Sequence, residues 1–320
     1  MNLIDFAQHL QQSVSLLHKQ DIQSASRHLA QVHSPQTDTI LLGDDCAAIP
    51  DGDSYLLLAA EGLLPAFVEA DPWFAGWSAI MVNVSDIYAM GGRPIAVVDT
   101  LWSQPNTDTE PIWAGMKAAA HTYNVPIVGG HTNGHSPYTS LSVAILGRAT
   151  ALISSFHAQP GDTLLIATDF RGHAHPTYPF WNAATTADPA RLRSDLDLLP
   201  QLAEAGLCRA GKDISMGGIL GTTLMLLETS GCGATLDLTH IPCPTDLALD
   251  RWLISFPSYG FLLSVLPDHV ETIRAIFQQR HLVCEAIGSI DSTHQLKLRR
   301  SSETIVFWDL SENQLTGFTA

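Results

Sequence analysis

The hydrophobic and polar positions of this chain follow two periods, one typical of helices and one typical of strands. Apolar residues recur every three to four positions in residues 1 to about 33, and again from Asp71-Pro72 to Met90, where Gly91-Gly92 ends the pattern. These stretches predict helices. Short apolar runs bounded by Gly, Pro and Asp predict strands. Strands are predicted at 39–49, 55–60, 95–101, 125–128, 139–149, 163–168, 234–238 and 261–265, and further helices at 108–124, 192–205, 212–228 and 267–279.

This alternation of strands and helices predicts the mixed α/β (α+β) class, built as two halves that join near residue 150. The expected domains are an N-terminal helical segment at 1–35, a first α/β domain at 36–152 and a second at 153–320. A chain of 320 residues is long enough for two hydrophobic cores of ordinary size.

Acidic residues stand next to glycines in two stretches that are otherwise apolar. Leu41–Ala48 reads LLGDDCAA, with two adjacent carboxylates where a strand is expected to end, and Asn83–Pro94 reads NVSDIYAMGGRP, with Asp86 inside an apolar helix. A buried carboxylate is costly unless it is paired or holds a cation. Because clusters of oxygen ligands suit Mg²⁺ and the phosphates it carries, the two stretches predict a magnesium–nucleotide site.

The same pattern recurs along the chain, at an expected strand exit or beside a double glycine. Glycine lets the backbone approach a bulky anion closely. An isolated Gly-Asp-Asp is most often only a turn, so the prediction rests on the whole set. Its members are Asp44, Asp45, Glu61, Asp86, Asp99, His131 and Asp213.

Composition narrows the choice of ligands and compartments. The formal net charge of −16 argues against nucleic acid as a partner and means that a bound polyphosphate needs divalent cations to screen it. Five scattered Cys without a C-x-x-C pair predict neither a zinc site nor a disulfide framework, so we expect a reducing cytoplasm. The sequence shows no signal peptide and no apolar run of bilayer length, which predicts a soluble protein without a membrane partner. No Walker A or G-x-S-x-G motif occurs.

Four motifs in order carry a resemblance to a known superfamily. GDDCAA, NVSDIYAMGGRP, IVGGHT and KDISMGG together resemble the PurM-like ATP-binding superfamily over residues 38 to about 290. That superfamily includes aminoimidazole ribonucleotide (AIR) synthase, thiamine-monophosphate kinase, selenophosphate synthetase and a hydrogenase-maturation carbamoyl dehydratase. The sequences of the motifs are most similar to those of thiamine-monophosphate kinase, and the whole chain is similar to the AIR synthase-related branch.

The resemblance implies a fold, a cofactor and an assembly. It implies an N-terminal ATP-binding domain with a mixed or antiparallel sheet, a C-terminal α/β domain, and a homodimer with ATP near its interface. It assigns Mg²⁺ to Asp44, Asp45 and Asp86, with Glu61 where relatives usually have Asp. His131 replaces an Asp of the kinase, and Asp213 matches the first Asp of the kinase's D-I-S-D-G, whose second Asp is Met216 here.

Departures from the motifs argue against three of the relatives. The chain has no D-G-V-G-T-K of AIR synthase, no Cys- and Gly-rich N-terminal segment of selenophosphate synthetase and no terminal Cys of the carbamoyl dehydratase.

The expected roles follow from the two lines of reasoning together. We expect His131, Asp213 and Arg171 to face a small-molecule acceptor, with Asp99 as a further candidate. The segment with Arg171, Tyr178 and Trp181 has two equal interpretations. It binds the acceptor, or it is a surface loop held in place by its aromatic residues. Lys212 has two readings, a phosphate contact and a solvated position that begins a helix, and we favour the second. The residues expected to bind the cofactor are Gly43, Asp44, Asp45, Glu61, Asn83, Asp86, Gly91, Gly92, Gly129 and Gly130.

The function expected from the sequence is an ATP-dependent, magnesium-requiring phosphoryl transfer to, or activation of, a small molecule. Two alternatives stay open. Met216 and Glu61 favour a nucleotide-binding regulatory protein without catalysis. A divergent thiamine-monophosphate kinase is the other.

Overall fold

The structure is a computed structural model that describes residues 2–29 and 40–319. The helices are α1 (Leu3–Gln11), α2 (Val14–Leu17), α3 (Ile22–Leu29), α4 (Pro65–Ala70), α5 (Pro72–Ala89), α6 (Glu110–Tyr123), α7 (Pro189–Leu196), α8 (Leu198–Glu204), α9 (Gly218–Ser230), α10 (Leu249–Leu253) and α11 (Val270–Gln278), with 3-10 turns at His18–Asp21 and Pro267–His269.

The strands make up three sheets. They are β1 (Ala47–Asp51), β2 (Ser54–Leu63), β3 (Arg93–Trp102), β4 (Ile127–Asn133), β5 (Ser140–Ala149), β6 (Thr163–Thr168), β7 (His173–Ala174), β8 (Phe180–Asn182), β9 (Ala210–Asp213), β10 (Gly233–Asp237), β11 (Phe256–Pro257), β12 (Gly260–Val265), β13 (Val283–Asp291), β14 (Gln295–Arg300) and β15 (Glu303–Asp309). The expected mixed α/β class is confirmed.

The chain divides into two compact units. The large unit comprises Met1–Asp45, Ile153–Ala183 and Leu202–Ala320, and the small unit comprises Cys46–Leu152 and Ala184–Gln201. The expected boundary between residues 35 and 36 lies outside the described residues. The N-terminal helices belong to the large unit and do not form a separate segment, because Leu3, Phe6, Leu10 and Leu16 are buried in its core. Residues 184–201, expected in the second domain, belong to the small unit.

The small unit is a five-stranded sheet in the order β1-β2-β5-β3-β4, antiparallel except where β3 pairs with β4. Its main helix is α5, which begins where the Asp71 side chain accepts a hydrogen bond from the Phe74 amide at 3.3 Å. Residues 75–89 of α5 are all buried, so the helix needs protein on every side. It packs against β2, β3 and β5 on one side and against α6 on the other.

Two glycines let α5 and α6 cross at close range. A Cβ atom on Gly76 would stand 2.1 Å from the Ile112 carbonyl oxygen of α6, and one on Gly115 would stand 2.0 Å from the Trp73 carbonyl oxygen of α5. Both obstacles are helix backbone, which cannot move aside like a side chain. The depth at which α5 sits against α6 therefore depends on these two positions.

The large unit has a seven-stranded sheet in the order β15-β14-β10-β13-β6-β12-β9 and a three-stranded sheet in the order β11-β8-β7. Strand β12 is buried along its whole length and β6 along nearly all of it, as expected for central strands. The apolar helix α9 contacts β9, β12 and β14, and α2 packs on α9. At the C-terminal end of α9, Thr229 and Ser230 donate hydrogen bonds to the Ser155 carbonyl.

Several expected elements have different bounds, each for a local reason. The strand expected at 39–49 begins at Ala47; its first residue lies outside the described part of the chain. The helix expected at 192–205 is two helices, α7 and α8, because Pro200 cannot donate a backbone hydrogen bond near their junction. The helix expected from 212 begins only at Gly218, and Lys212 belongs to strand β9.

Strand β4 does not end before its double glycine but continues through Gly129 and Gly130 to Asn133. The sequence suggested that Glu61, Asp99 and His131 lie at strand exits. In the structure they lie inside β2, β3 and β4. Glycines are tolerated here because β4 is an edge strand with one neighbour.

Among the described residues, no helix is long and apolar enough to cross a membrane.

Replacing Gly115 by Ala tests the crossing of α5 and α6. Alanine favours an isolated helix by about 1 kcal/mol over glycine, but the methyl group would meet backbone, and overpacking of this kind costs about 1–3 kcal/mol. We expect Gly115→Ala to lower the free energy of unfolding, measured by chemical denaturation. Gly221→Ala is the matched control, because a Cβ atom there would be in ordinary contact with Leu16 Cδ1 at 3.5 Å and with the Met216 carbonyl oxygen at 3.8 Å. Equal effects of the two variants would contradict the close crossing.

Candidate functional site

The Gly43–Asp45 loop of the large unit is held by hydrogen bonds to Asp44. Asp44 Oδ2 accepts a hydrogen bond from Ser154 Oγ at 2.6 Å, and its carboxylate also accepts from the Ser155 amide at 3.1 and 3.2 Å. Asp44 Oδ1 accepts in addition from the amide of Asp45 at 3.0 Å. These contacts keep the carboxylate of Asp44 in one orientation and present Asp45 beside it.

Asp45 meets a lysine and a second aspartate at the end of β9. Its side chain is 5% exposed, and its Oδ1 forms a buried ion pair with the ammonium group of Lys212, which is 6% exposed. Asp45 Oδ2 accepts a hydrogen bond from the Asp213 amide at 3.1 Å. One carboxylate oxygen of Asp45 and one of Asp213 lie within 4.8 Å of each other.

The charges around Lys212 keep it protonated. Burial disfavours its ammonium form, but the attraction of Asp45, Asp44 and Asp213 outweighs that effect and holds the pKa of Lys212 above its ordinary value. Three acidic groups therefore surround one permanent cation. The expectation that Lys212 is solvated is wrong, since β9 pairs with β12 and places Lys212 in the interior of the large unit.

This donor set fits a magnesium ion. Its groups are carboxylate oxygens, the ligand type that Mg²⁺ prefers, and they converge in a buried place next to a glycine-containing loop. Three acidic groups against one ammonium leave negative charge uncompensated in a setting that screens it weakly.

In the small unit, Asn83 and Asp86 lie on α5. Both are buried, with Asn83 fully inaccessible and Asp86 6% exposed. Asn83 Nδ2 donates to the Ala79 carbonyl at 2.8 Å, while Asn83 Oδ1 has no hydrogen-bond partner among the residues that the structure describes. A buried amide oxygen without a partner is costly, which marks this turn of α5 as a place where a ligand could supply the missing donor.

Across the small unit's sheet, Glu61, Val143, Asp99 and Gly130 lie in one row of paired residues. Glu61 is exposed and Asp99 is buried, and both project on the face that also carries buried Val143. His131 pairs with Thr100, the next row, so it projects on the opposite face. The sheet therefore brings Glu61 and Asp99 to one face and places His131 on the other.

Asp99 has unusual surroundings. Burial raises the pKa of its carboxyl group, and its Oδ2 lacks a hydrogen-bond partner within the described residues. Its Oδ1 stands 2.4 Å from where a Cβ atom of Gly130 would be. Gly130 thus makes room for the carboxyl group of Asp99, a role that the sequence did not indicate.

The other candidate glycines differ in the space around them. Gly91 has a left-handed φ of +74° at the end of α5, which favours glycine. A Cβ atom on Gly92 would meet Leu57 Cδ1 at 2.3 Å, so a larger residue there would have to displace the buried Leu57 side chain. Gly129 faces open space, as an approaching ligand would need.

Arg171 is engaged inside the large unit. Its guanidinium forms two bonds to the Asp169 carboxylate, at 2.7 and 3.0 Å, and a third to the Arg280 carbonyl at 3.1 Å. Trp181 Nε1 donates to the Asp169 carbonyl, and Tyr178 stacks on Phe180 at 5.5 Å between centroids. These contacts agree with the alternative interpretation, in which aromatic residues fix a surface loop. The role of Arg171 toward an acceptor stays a prediction.

Family models match both halves of the chain. The N-terminal domain of AIR synthase related protein matches residues 43–149, and the C-terminal domain of the same family matches residues 159–301. The chain belongs to the AIR synthase-related family. The resemblance stated from the motifs is thereby confirmed.

Curated relatives of this AIR synthase-related chain include proteins of unknown and known activity. An uncharacterized protein of Synechocystis sp. is 59% identical over 99% of both chains. A thiamine-monophosphate kinase of Synechococcus elongatus is 27% identical over 82% of this chain and 87% of its own.

Solved structures share the fold. A structure of AaThiL complexed with AMPPCP and TMP has a TM-score of 0.65 and 19% identity, covering 88% of this chain and 96% of that one. T. maritima PurL complexed with FGAR has a TM-score of 0.75 and 16% identity, covering 99% of this chain and 56% of that one. The chain spans about half the length of the PurL structures that it matches. The expected two-domain PurM-like fold is confirmed.

Lys212 and the Ser154–Ser155 pair are the features that sequence reasoning missed. Lys212 lies in a four-residue strand, AGKD, that is buried throughout, and its two charged residues gave no sign of that burial in the sequence. Ser154 and Ser155 stand 110 and 111 residues after Asp44, and no local pattern connects them to it.

Replacing Lys212 by Met tests the buried ion pair. Removing one partner of such a pair leaves the other charge unpaired and costs about 3–5 kcal/mol. We expect Lys212→Met to lower the free energy of unfolding by that amount in magnesium-free buffer. The matched control is Lys117→Met, since Lys117 pairs with Glu110 at the exposed surface. If both variants lose the same small amount, the Lys212–Asp45 pair does not stabilise the large unit.

Proposed function

We propose that this protein binds ATP with Mg²⁺ and transfers or activates a phosphoryl group on a small-molecule acceptor. The observation that carries the proposal is the buried group of Asp44, Asp45, Asp213 and Lys212 beside the Gly43–Asp45 loop. Acidic residues that converge without enough cations favour a divalent ion, and a lysine among them offers a contact for a phosphate.

The acidic residues of the site have different proposed roles. Asp45 and Asp213 would hold the magnesium ion, and Asp44 would orient the loop through Ser154 and Ser155. A bound magnesium ion neutralises phosphate charge. The assignment of Asp86 and Glu61 to the same cation rests on the motifs and remains a prediction.

Lys212 has two possible anionic partners, Asp45 and a phosphate of the nucleotide. Its ammonium group is paired with Asp45, so a magnesium ion at Asp45 competes with it. Once released from that pair, Lys212 can donate to a phosphate oxygen as a compact cation. The protein's main contribution would be to position the nucleotide and neutralise its charge, as in phosphoryl transfer generally.

The relatives support nucleotide use. T. maritima PurL has been solved with ATP and with ADP, and AaThiL with AMPPCP and TMP. An ATP-using transferase in a reducing cytoplasm is the function class that we infer for this chain. The acceptor of the phosphoryl group is a small molecule, and the expected roles of His131 and Arg171 toward it rest on the sequence alone.

A second candidate function is a nucleotide-binding regulatory protein without catalysis. Met216 stands where the kinase motif has its second Asp, so one potential oxygen ligand is a thioether. The two functions differ in turnover. A regulatory protein binds ATP and forms no ADP with any acceptor, thiamine monophosphate included, whereas the enzyme releases ADP with at least one.

Calorimetric titration of ATP, with and without Mg²⁺, tests the proposal. We expect binding that requires magnesium, and a loss of about 30-fold or more in affinity for Asp45→Asn, because removing one partner of a buried charge pair costs about 2–5 kcal/mol. Asp86→Asn is the second variant, which tests the motif-based assignment if Asp45→Asn does not fold. Exposed Asp268 supplies the control, Asp268→Asn. Affinity for ATP that is equal in folded Asp45→Asn and Asp268→Asn would contradict the site.

We also propose that the protein is a homodimer, formed through the face of the small unit's sheet opposite the one that carries buried Val143. Leu58, Val98 and Trp102 are 46%, 43% and 41% exposed, and Leu58 pairs with Leu146 across β2 and β5. Contiguous exposed apolar side chains on one sheet face favour association. A second copy of the chain fits such a face, because a two-fold interface needs only a patch that complements itself.

Replacing Val98 by Asp tests the dimer. A carboxylate in the centre of an apolar interface would be buried without a partner, so we expect Val98→Asp to shift the mass in sedimentation or light-scattering measurements from dimer to monomer. Val306→Asp is the matched control, since Val306 is 49% exposed on edge strand β15 of the large unit. A wild-type protein that is monomeric, or a Val98→Asp variant that stays dimeric, would exclude this interface.

A further inference from the structure

The C-terminal segment Leu315–Phe318, here called the tail, is fastened to the end of α9 by one carboxylate. Glu228 accepts hydrogen bonds from the amides of Leu315 and Thr316, both at 2.8 Å, from Thr316 Oγ1 at 2.5 Å and from the Gly317 amide at 3.2 Å. Glu228 is 4% exposed and Leu315 is fully buried. Hydrogen bonds to a charged acceptor are the strong ones, so four of them make this a firm attachment.

Helix α3 supports the tail from another side. Gln23 Nε2 donates to the Gln314 carbonyl at 2.7 Å. Gly317 has a left-handed φ of +78°, and a Cβ atom there would stand 2.7 Å from Ser26 Oγ. The path of the chain at Gly317 is therefore set by its lack of a side chain.

Past Gly317, the tail ends against the acidic loop. A Cβ atom on Gly43 would stand 2.5 Å from Phe318 Cβ and 2.8 Å from Phe318 Cγ. Gly43 also has a left-handed φ of +113°. The backbone conformation of Gly43 therefore favours glycine, and the Phe318 side chain packs directly on this residue.

The same end of α9 reaches the acidic loop by a second route. Thr229 Oγ1 and Ser230 Oγ both donate to the Ser155 carbonyl, at 2.9 and 2.5 Å. The Ser155 amide in turn donates to the Asp44 carboxylate. Three consecutive residues of α9, Glu228 to Ser230, therefore hold the acidic loop from both sides, through the tail and through Ser155.

We infer that the tail is a strap that holds the Gly43–Asp45 loop in its nucleotide-binding conformation, with Glu228 as the positioning residue that locks it. The inference deepens the proposed function and rests on it for the strap's purpose. Glu228 acts through the tail and makes no contact with the acidic loop in the described contacts. Its four hydrogen bonds fix the tail, and the tail in turn packs on Gly43, the loop residue that precedes the two carboxylates.

Hydrogen exchange without nucleotide tests the strap itself. Phe318→Ala removes the ring that packs on Gly43 but leaves the Glu228 bonds in place, so we expect the amides of Gly43–Asp45 to exchange about tenfold faster, a change of about 1.4 kcal/mol in local opening. We also expect an unchanged melting temperature and weaker magnesium-dependent ATP binding. Thr319→Ala, at the exposed next position, is the control and should exchange like the wild type. Wild-type exchange of Gly43–Asp45 in Phe318→Ala would overturn the inference.

Glu228→Gln tests the lock. The two side chains have the same shape, but one acceptor oxygen becomes an NH₂ group that faces backbone donors, so the tail should be released. We expect faster exchange in Leu315–Gly317 and in Gly43–Asp45 together. Release of the tail with an unchanged loop would overturn the inference and leave Glu228 a stabilising residue only; if Glu228→Gln does not fold, Phe318→Ala decides. A wild-type protein that binds no ATP would contradict the proposed function, while the exchange result would still decide whether the tail holds the loop.

Discussion

The buried ion pair between Lys212 and Asp45 is the constraint on which the candidate site depends. Neither charge is tolerated alone in the interior of the large unit, so the strand that carries Lys212 and the loop that carries Asp45 must meet. Asp44 and Asp213 come into the same place because they are the chain neighbours of these two residues. The pair leaves an excess of acidic groups there, which is the basis on which we propose a magnesium site.

Helix α9 organises the surroundings of that pair. It is apolar along most of its length and is held in the core, but its last residues are Glu228, Thr229 and Ser230, whose polar groups bind the tail and the Ser155 segment. A rigid buried helix can therefore transmit its position to a loop that has no regular structure of its own. In the small unit, α5 has a comparable place, since it carries Asn83 and Asp86 on a helix packed between a sheet and α6.

The sequence predicts the architecture better than the site. The helix of α5 follows from its period, its Asp71 cap and its double glycine, and the family follows from four motifs in order. Strand β9 was missed because Lys212 and Asp213 look like a polar helix start, and only the partner strand β12 shows that they are buried. The contacts of Glu228 with the tail span 87 to 89 residues, so no local pattern could indicate them.

The measurement that tests the central claim most directly is a structure of the protein with Mg²⁺ and AMPPCP. We expect the metal on the carboxylate of Asp45, and Lys212 Nζ displaced from Asp45 to an oxygen of the nucleotide's phosphates. Asp44 should keep its bonds to Ser154 and Ser155, since they define the loop rather than the ligand. A nucleotide bound elsewhere, with the Lys212–Asp45 pair intact, would contradict the account.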